Sequence, residues 1–292
     1  MNLLLFIQVF FLLNLTLFSQ STEKNLQEND KAMKVIFSQS SFHNIKTEDA
    51  HATAQILANH IKKLKNLQND FNVEIVTGDA EIIESCSNGF DMILLTTEEY
   101  LRLKKKLPLE PFCVNYTNSS YGYVYQLIVN KNDNINDIAQ LKGETIYIQT
   151  NSDDQAATKW LNKLLKDAKL KPKDAFFKEI ILSNKATNVL LPVFFNKAKA
   201  CIVTNASFNL LKELNPGISN QTKIIYSSEP LILGITCLNS QSTSSDNYKV
   251  MKDILPTMHE NQYGKQLLQL FGADKLILFR EDYLKSYYKI IE

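Results

Sequence analysis

The feature that most constrains this chain is an alternation. From residue 33 onward, short runs rich in Val, Ile, Leu and Phe are separated by longer stretches whose apolar residues recur at helical spacing. The apolar runs predict strands at Lys34–Ser38, Val73–Val76, Phe90–Leu95, Cys113–Tyr116, Tyr121–Asn130, Thr145–Ile148, Glu179–Leu182, Cys201–Thr204, Lys223–Tyr226 and Leu231–Leu238. The stretches between them predict helices at Thr47–Leu67, Asp79–Ser87, Thr97–Lys106, Ile135–Leu141, Asp153–Lys169, Ala186–Asn196 and Phe208–Leu214, with a helical tail from Asn247. Thr47 is read as a helix N-cap, with Ala54, Leu57, Ile61 and Leu64 on one face; Asp79 is read as the cap of a helix that Gly89 ends. Parallel neighbours in a sheet need a crossover long enough to hold a helix, so this alternation predicts an α/β architecture with mainly parallel sheets. Ligands in such sheets bind beyond the carboxyl ends of the strands, where helix N-termini point.

Composition narrows the function classes. The 292 residues suffice for one large domain or two lobes, and 45% hydrophobic with 22% charged residues permits a sizeable core. With 32 basic and 31 acidic residues the formal charge is +1, which gives no electrostatic case for nucleic acid. The chain contains no GxSxG elbow, P-loop, GxGxxG or HExxH pattern. His51 and His60 share a predicted helix but stand nine residues apart, too far to share a metal, and His43 and His259 have no ligand partners at spacing. The acidic pairs Glu48-Asp49, Glu98-Glu99 and Asp153-Asp154 all fall at predicted helix starts, where carboxylates complement the macrodipole. Neither a catalytic set nor a metal or cofactor site is indicated.

Cys86, Cys113, Cys201 and Cys237 form no CxxC pair; Cys201 lies in an apolar run and is expected to be buried, and a Cys86–Cys113 disulfide is open in an oxidising compartment. Sequons occur at Asn115, Asn118, Asn205 and Asn220. Leu3 to Phe18 is apolar except at Gln8, Asn14 and Thr16, and no charged side chain precedes Glu23. Residues 1–20 therefore read as an export signal, with Ser19, Gln20 and Ser21 near the cleavage point. The n-region lacks Lys and Arg and the cleavage pattern is poor, so a retained membrane anchor competes, although the run is shorter than the ~20 residues that span a bilayer.

Several stretches in order carry a resemblance. These are Gly78-Asp79-Ala80-Glu81-Ile82-Ile83 followed by Asn88-Gly89-Phe90-Asp91-Met92-Ile93, then Tyr123 to Lys131, Ile135 to Gly143, and Ile224 to Pro230. Over most of residues 33–290 the chain resembles the phosphate/phosphonate-type periplasmic binding proteins of ABC transporters. The resemblance implies a two-lobed type 2 periplasmic-binding-protein fold, each lobe a mixed, mainly parallel sheet flanked by helices. Lobe 1 would hold 33–122 with 228–292, and lobe 2 would hold 123–227. It also implies a non-enzymatic receptor outside the cytosol, a small-molecule solute in the cleft, a membrane permease as partner, and lobe closure as the functional event.

The family's anion grip is a hydroxyl-rich turn at a helix N-terminus, matched here by Thr150 to Gln155. Ser152 fits, but Asp153 and Asp154 stand where hydroxyls are usual, Lys199 replaces an expected Asp, and Asn184 to Thr187 lack the expected His. A carboxylate about 4 Å from a phosphoryl charge costs roughly 4 kcal/mol at an effective dielectric of 20. The candidate ligand contacts are Ser41, Phe42, Asp79 and Thr96 in the first lobe, and Thr150, Ser152, Asp153 and Asn205 in the second. Two functions follow: a solute receptor with an altered anion site, or a membrane-anchored accessory subunit of a larger membrane complex on a degenerate binding-protein fold.

Overall fold

The computed structural model describes residues 32–42, 47–150 and 155–292. The apolar leader, the side chain read as the Thr47 cap, and Ser152 with Asp153 lie outside the described residues.

Two sheets organise the chain. The first contains β1 (Met33–Ser38), β2 (Phe71–Val76), β3 (Met92–Thr96), β4 (Leu109–Tyr116), β10 (Gly234–Asn239) and β11 (Lys275–Leu278), in the order β11-β4-β10-β3-β1-β2. The second contains β5 (Tyr125–Asn130), β6 (Thr145–Gln149), β7 (Glu179–Ser183), β8 (Ala200–Thr204) and β9 (Thr222–Ser227), in the order β7-β6-β8-β5-β9. Both are mixed. β1 pairs parallel with β2 and β3, and β6 with β7 and β8, as the strand–helix alternation requires. The other pairings are antiparallel, because β4, β5, β9 and β10 are the strands that leave or re-enter a sheet through the crossovers, and β11 is added at an edge.

Each sheet is covered on both faces, which is why its central strands read as unbroken apolar runs. Successive residues point to opposite faces. In β3, Met92 and Leu94 enter one apolar cluster and Ile93 and Leu95 another; in β8, Ala200 and Ile202 separate in the same way from Cys201 and Val203. One face of the first sheet is covered by α1 (Thr47–Lys65), α9 (Asp246–Thr257) and α10 (Gln262–Leu270), and α1 contributes Ala50, Ala54, Leu57, Ala58 and Ile61 at helical spacing. The other face meets α2 (Gly78–Ser87) and α3 (Thr97–Leu103). In the second lobe α4 (Ala156–Asp167) buries Trp160, Leu161 and Leu165 on one face, beside the short α5 (Lys173–Phe176). The opposite face takes α6 (Ala186–Phe194), α7 (Asn205–Leu214) and α8 (Gly217–Gln221).

Some local expectations change. Lys275–Leu278 is an edge strand inside the tail expected to be helical, held by antiparallel pairing to β4. Leu231–Leu233 belongs to a crossover, and the strand starts only at Gly234. Ile138–Leu141 is a 3-10 turn opened by a capping box of Asp137 and Gln140. The N-cap of α2 is Thr77 rather than Asp79, which is drawn away into an ion pair. All four cysteines are free and buried, so no Cys86–Cys113 disulfide is present, and burial pushes the thiols up, Cys86 to about 11 and Cys113 to about 12. Cys201 is fully buried, as its apolar run predicts.

Candidate ligand-binding cleft

The chain passes between the sheets twice, from β4 to β5 and from β9 to β10. The crossovers touch: Tyr123 and Leu231 exchange backbone hydrogen bonds, each 2.9 Å. A Cβ on Gly122 would stand 2.8 Å from the Leu231 carbonyl carbon and oxygen, so glycine is what allows this approach. The carboxyl ends of the parallel strands converge here. Thr96 at the end of β3 is registered with Gly234, where the returning chain enters the first sheet. Thr204 at the end of β8 is registered with Tyr125, and the Asn205 N–H donates to the Val124 carbonyl at 2.8 Å.

A cleft opens beside the crossovers. Its described lining includes Ser40, Ser41, Thr96, Glu98, Asn115, Thr117, Tyr121, Tyr123 and Tyr287. The lining is mostly hydroxyls and aromatic rings, with Glu98 as the one charged side chain among the described residues there. Two threonines are committed to the fold. Thr96 accepts the Glu99 N–H at 3.2 Å while the Thr96 N–H donates to the Glu99 carboxylate at 2.8 Å, a reciprocal cap for α3. The Thr97 hydroxyl donates to the Ile232 carbonyl at 2.7 Å. Glu99 is buried and also accepts the Ser38 hydroxyl at 2.6 Å. The Ser41 hydroxyl, by contrast, is shielded from solvent and has no hydrogen-bond partner among the described residues. Leaving such a group unpaired costs about 1–3 kcal/mol, which a hydrogen-bonding solute would offset.

The structure brings only some of the expected contacts into this cleft. Ser41 and Thr96 line it. Phe42 does not; its ring packs in the core against Phe37 and Phe271, with centroids 5.9 and 4.8 Å away. Asp79 is held by Arg102 through hydrogen bonds of 2.8 and 3.1 Å, and the guanidinium keeps its carboxyl below the ordinary range. In the second lobe Thr150 and Asn205 follow the ends of β6 and β8, and the neighbouring Gln149 side chain ties these ends together, donating to Ser207 at 3.0 Å and accepting the Thr204 N–H at 3.2 Å. Lys199 lies at the start of β8 and pairs with Asp133 at 2.7 Å. Asn115, Thr117, Tyr121, Tyr123 and Tyr287 were not anticipated as lining. The first four fall in the polar and aromatic run 115–123, whose composition was the available signal; Tyr287 comes from a tail 164 residues beyond Tyr123 and carried none.

Among the described residues, no group of His, Cys, Asp and Glu could hold a metal ion, and no helix is long and apolar enough to cross a membrane.

Comparison with known proteins agrees with this geometry. A family model described as "ABC transporter, phosphonate, periplasmic substrate-binding protein" matches residues 42–283. No curated protein sequence matches. Among solved structures, a Xanthomonas citri protein bound to ATP is similar at TM-score 0.62 and 13% identity, covering 89% of this chain and 96% of that one. PhnD1 from Prochlorococcus marinus in complex with methylphosphonate gives TM-score 0.58 at 14% identity, covering 90% and 97%. A binding-protein component of an ABC phosphonate transporter from Pseudomonas aeruginosa gives 0.56 at 16%, covering 90% and 86%. At these identities the likeness is one of fold.

Proposed function

The chain belongs to the phosphonate substrate-binding family of periplasmic ABC-transporter receptors, and from that premise we propose that it is a working extracytoplasmic receptor whose anion site has been altered. Lobe 1 comprises 33–122 with 228–292 and lobe 2 comprises 123–227. A small solute enters between them, and a membrane permease receives it from the closed form. The receptor role requires no chemistry on the solute.

The observation that carries the altered specificity is the cleft's lining. Hydroxyls of Ser40, Ser41, Thr117 and Tyr121 surround the crossovers, and Glu98 is the charged group among the described lining residues. The sequence adds Asp153 and Asp154 at the turn that grips the anion in the family. Glu98 is itself paired with Lys159 at 2.7 Å, so the added negative charge comes from Asp153 and Asp154, and acids at that turn favour a neutral polyol or a cation over a phosphonate dianion.

Ligand binding to the folded state alone raises stability by RT ln(1 + [L]/Kd), about 2.7 kcal/mol at a hundredfold excess over Kd. Thermal melts with methylphosphonate, phosphate, sugars, polyols, amino acids and polyamines test the reading. A rise with a polyol or cation and none with methylphosphonate is expected. A rise with methylphosphonate alone would restore the unaltered anion site, and no rise with any of them would remove the receptor role in favour of the accessory subunit.

A further inference from the structure

We propose that Glu98 is the node of a latch that joins the two lobes and sets how far the cleft opens. Glu98 sits in the first turn of α3, in the first lobe, and lines the cleft. Its Oε1 accepts the Lys159 ammonium at 2.7 Å, and Lys159 belongs to α4 in the second lobe. The same oxygen accepts the Tyr287 hydroxyl at 2.9 Å. The Lys159 and Glu98 side chains are 29% and 17% exposed, so the pair is partly shielded from water and salt. A carboxylate in a helix's first turn ordinarily caps its own helix, but here the neighbouring Glu99 does that with Thr96. Glu98 keeps a long 4.0 Å ion pair with Arg102 of its own helix through Oε2, and its Oε1 reaches across the lobes.

The C-terminal helix α11 (Lys285–Ile291) reinforces the crossing. It follows β11 of the first sheet, and Leu284 and Tyr288 pack in the first lobe's cluster, yet Tyr287 is buried in the apolar cluster of the second. Lys166 of α4 donates to the Glu292 carbonyl at 2.7 Å. Ser286 and Lys289 hold Glu229 of the return crossover at 3.0 and 2.6 Å. The lobes are thus joined by two crossovers and a C-terminal strap, and a rotation that opens the cleft has to lengthen the Glu98–Lys159 or the Glu98–Tyr287 contact. Because Glu98 also faces the solute space, occupancy and closure share one carboxylate. That coupling rests on the receptor reading above; the latch itself does not.

The test is an inter-lobe distance measured without solute. Spin labels on Lys106→Cys and Glu213→Cys, exposed positions in the first and second lobes, report it by pulsed electron resonance; the four natural cysteines are buried and stay unlabelled. Lys159→Met and Glu98→Gln are expected to broaden the distribution and lengthen its mean, while Lys159→Arg keeps the parent distance. An unchanged distribution in both Lys159→Met and Glu98→Gln overturns the latch, as does an opening in Lys159→Arg equal to that in Lys159→Met. Should Lys159→Met fail to fold, Tyr287→Phe retains the buried ring and gives the same reading: a wider distribution supports the latch and an unchanged one overturns it. A failure of every solute to raise the melting temperature would strike the receptor reading and leave this distance result standing.

Discussion

Glu98 and Glu99 are adjacent carboxylates with different work, and the difference comes from what each can reach. Glu99 points back over its own helix start, where two donors wait in a buried setting; Glu98 points outward, where a lysine and a tyrosine from elsewhere in the chain arrive. A rule that acids favour helix starts covers Glu99 and is silent on Glu98, because it contains no term for a side chain in another lobe. Asp79 shows the same limit. It was legible as a helix-start acid, but its guanidinium partner lies 23 residues away, so its ion pair was not. That pair has a pH signature. The Arg102 guanidinium holds Asp79 below its ordinary value of 3.8, so its contribution is complete above that value and lost as pH falls through the lower folded value. The partners are 37% and 50% exposed, which confines the effect to the small range of surface pairs. The melting temperature of Asp79→Asn should lie slightly below the parent's at neutral pH, and the gap should close in acid below pH 3.8. A gap that stays constant into strong acid would assign the loss to something other than this charge.

Two glycines mark where elements approach too closely for a side chain. In α10 a Cβ on Gly264 would stand 1.9 Å from the Met258 carbonyl oxygen, and Met258 is itself buried in the first lobe's core. Gly264→Ala must therefore displace backbone, and a loss of about 1–3 kcal/mol is expected from overpacking, read as a lowered denaturant midpoint. Gly122→Ala would meet Leu231 backbone atoms at 2.8–2.9 Å, so it should separate the crossovers and change solute affinity more than Gly264→Ala does. Equal effects of the two on affinity would contradict that assignment. The wider pattern of elements was legible because burial on both faces writes strands as continuous apolar runs, and α/β alternation followed from them. What was not legible is pairing between distant segments. β11 is only Lys275–Leu278, four residues that fit a strand alternation or a single helical turn equally well, and it exists as a strand because β4 offers it an edge. The lining of the candidate cleft divides along the same line: Ser41 and Thr96, which the rule about strand ends picks out, line it, whereas Phe42, next in sequence, is claimed by the core through Phe37 and Phe271.

The whole molecule is two three-layer lobes whose cohesion depends on segments that belong to both. Without α11 the lobes would share the two crossovers and the Glu98–Lys159 pair. With it, Tyr287 lies at 1% exposure in the second lobe's core while Leu284, three residues earlier, lies at 0% in the first lobe's core. Burying an aromatic or a leucine stabilises by about 1.5–3 kcal/mol, so one short helix transmits an amount comparable to a tenth or more of a typical domain's stability across the hinge. Deleting residues 285–292 removes Tyr287, leaves Leu284 in place and strips Glu229 of both its partners. Calorimetry of that truncation should show the second lobe melting earlier than the first, as two resolved transitions, where the intact chain melts with the lobes coupled. A single transition at the parent temperature would mean that the crossovers and the Glu98–Lys159 pair suffice to bind the lobes together and that the strap is incidental to cohesion. Cooperative melting in the parent with splitting in the truncation would place the mechanical link between the lobes in the last helix, outside both sheets.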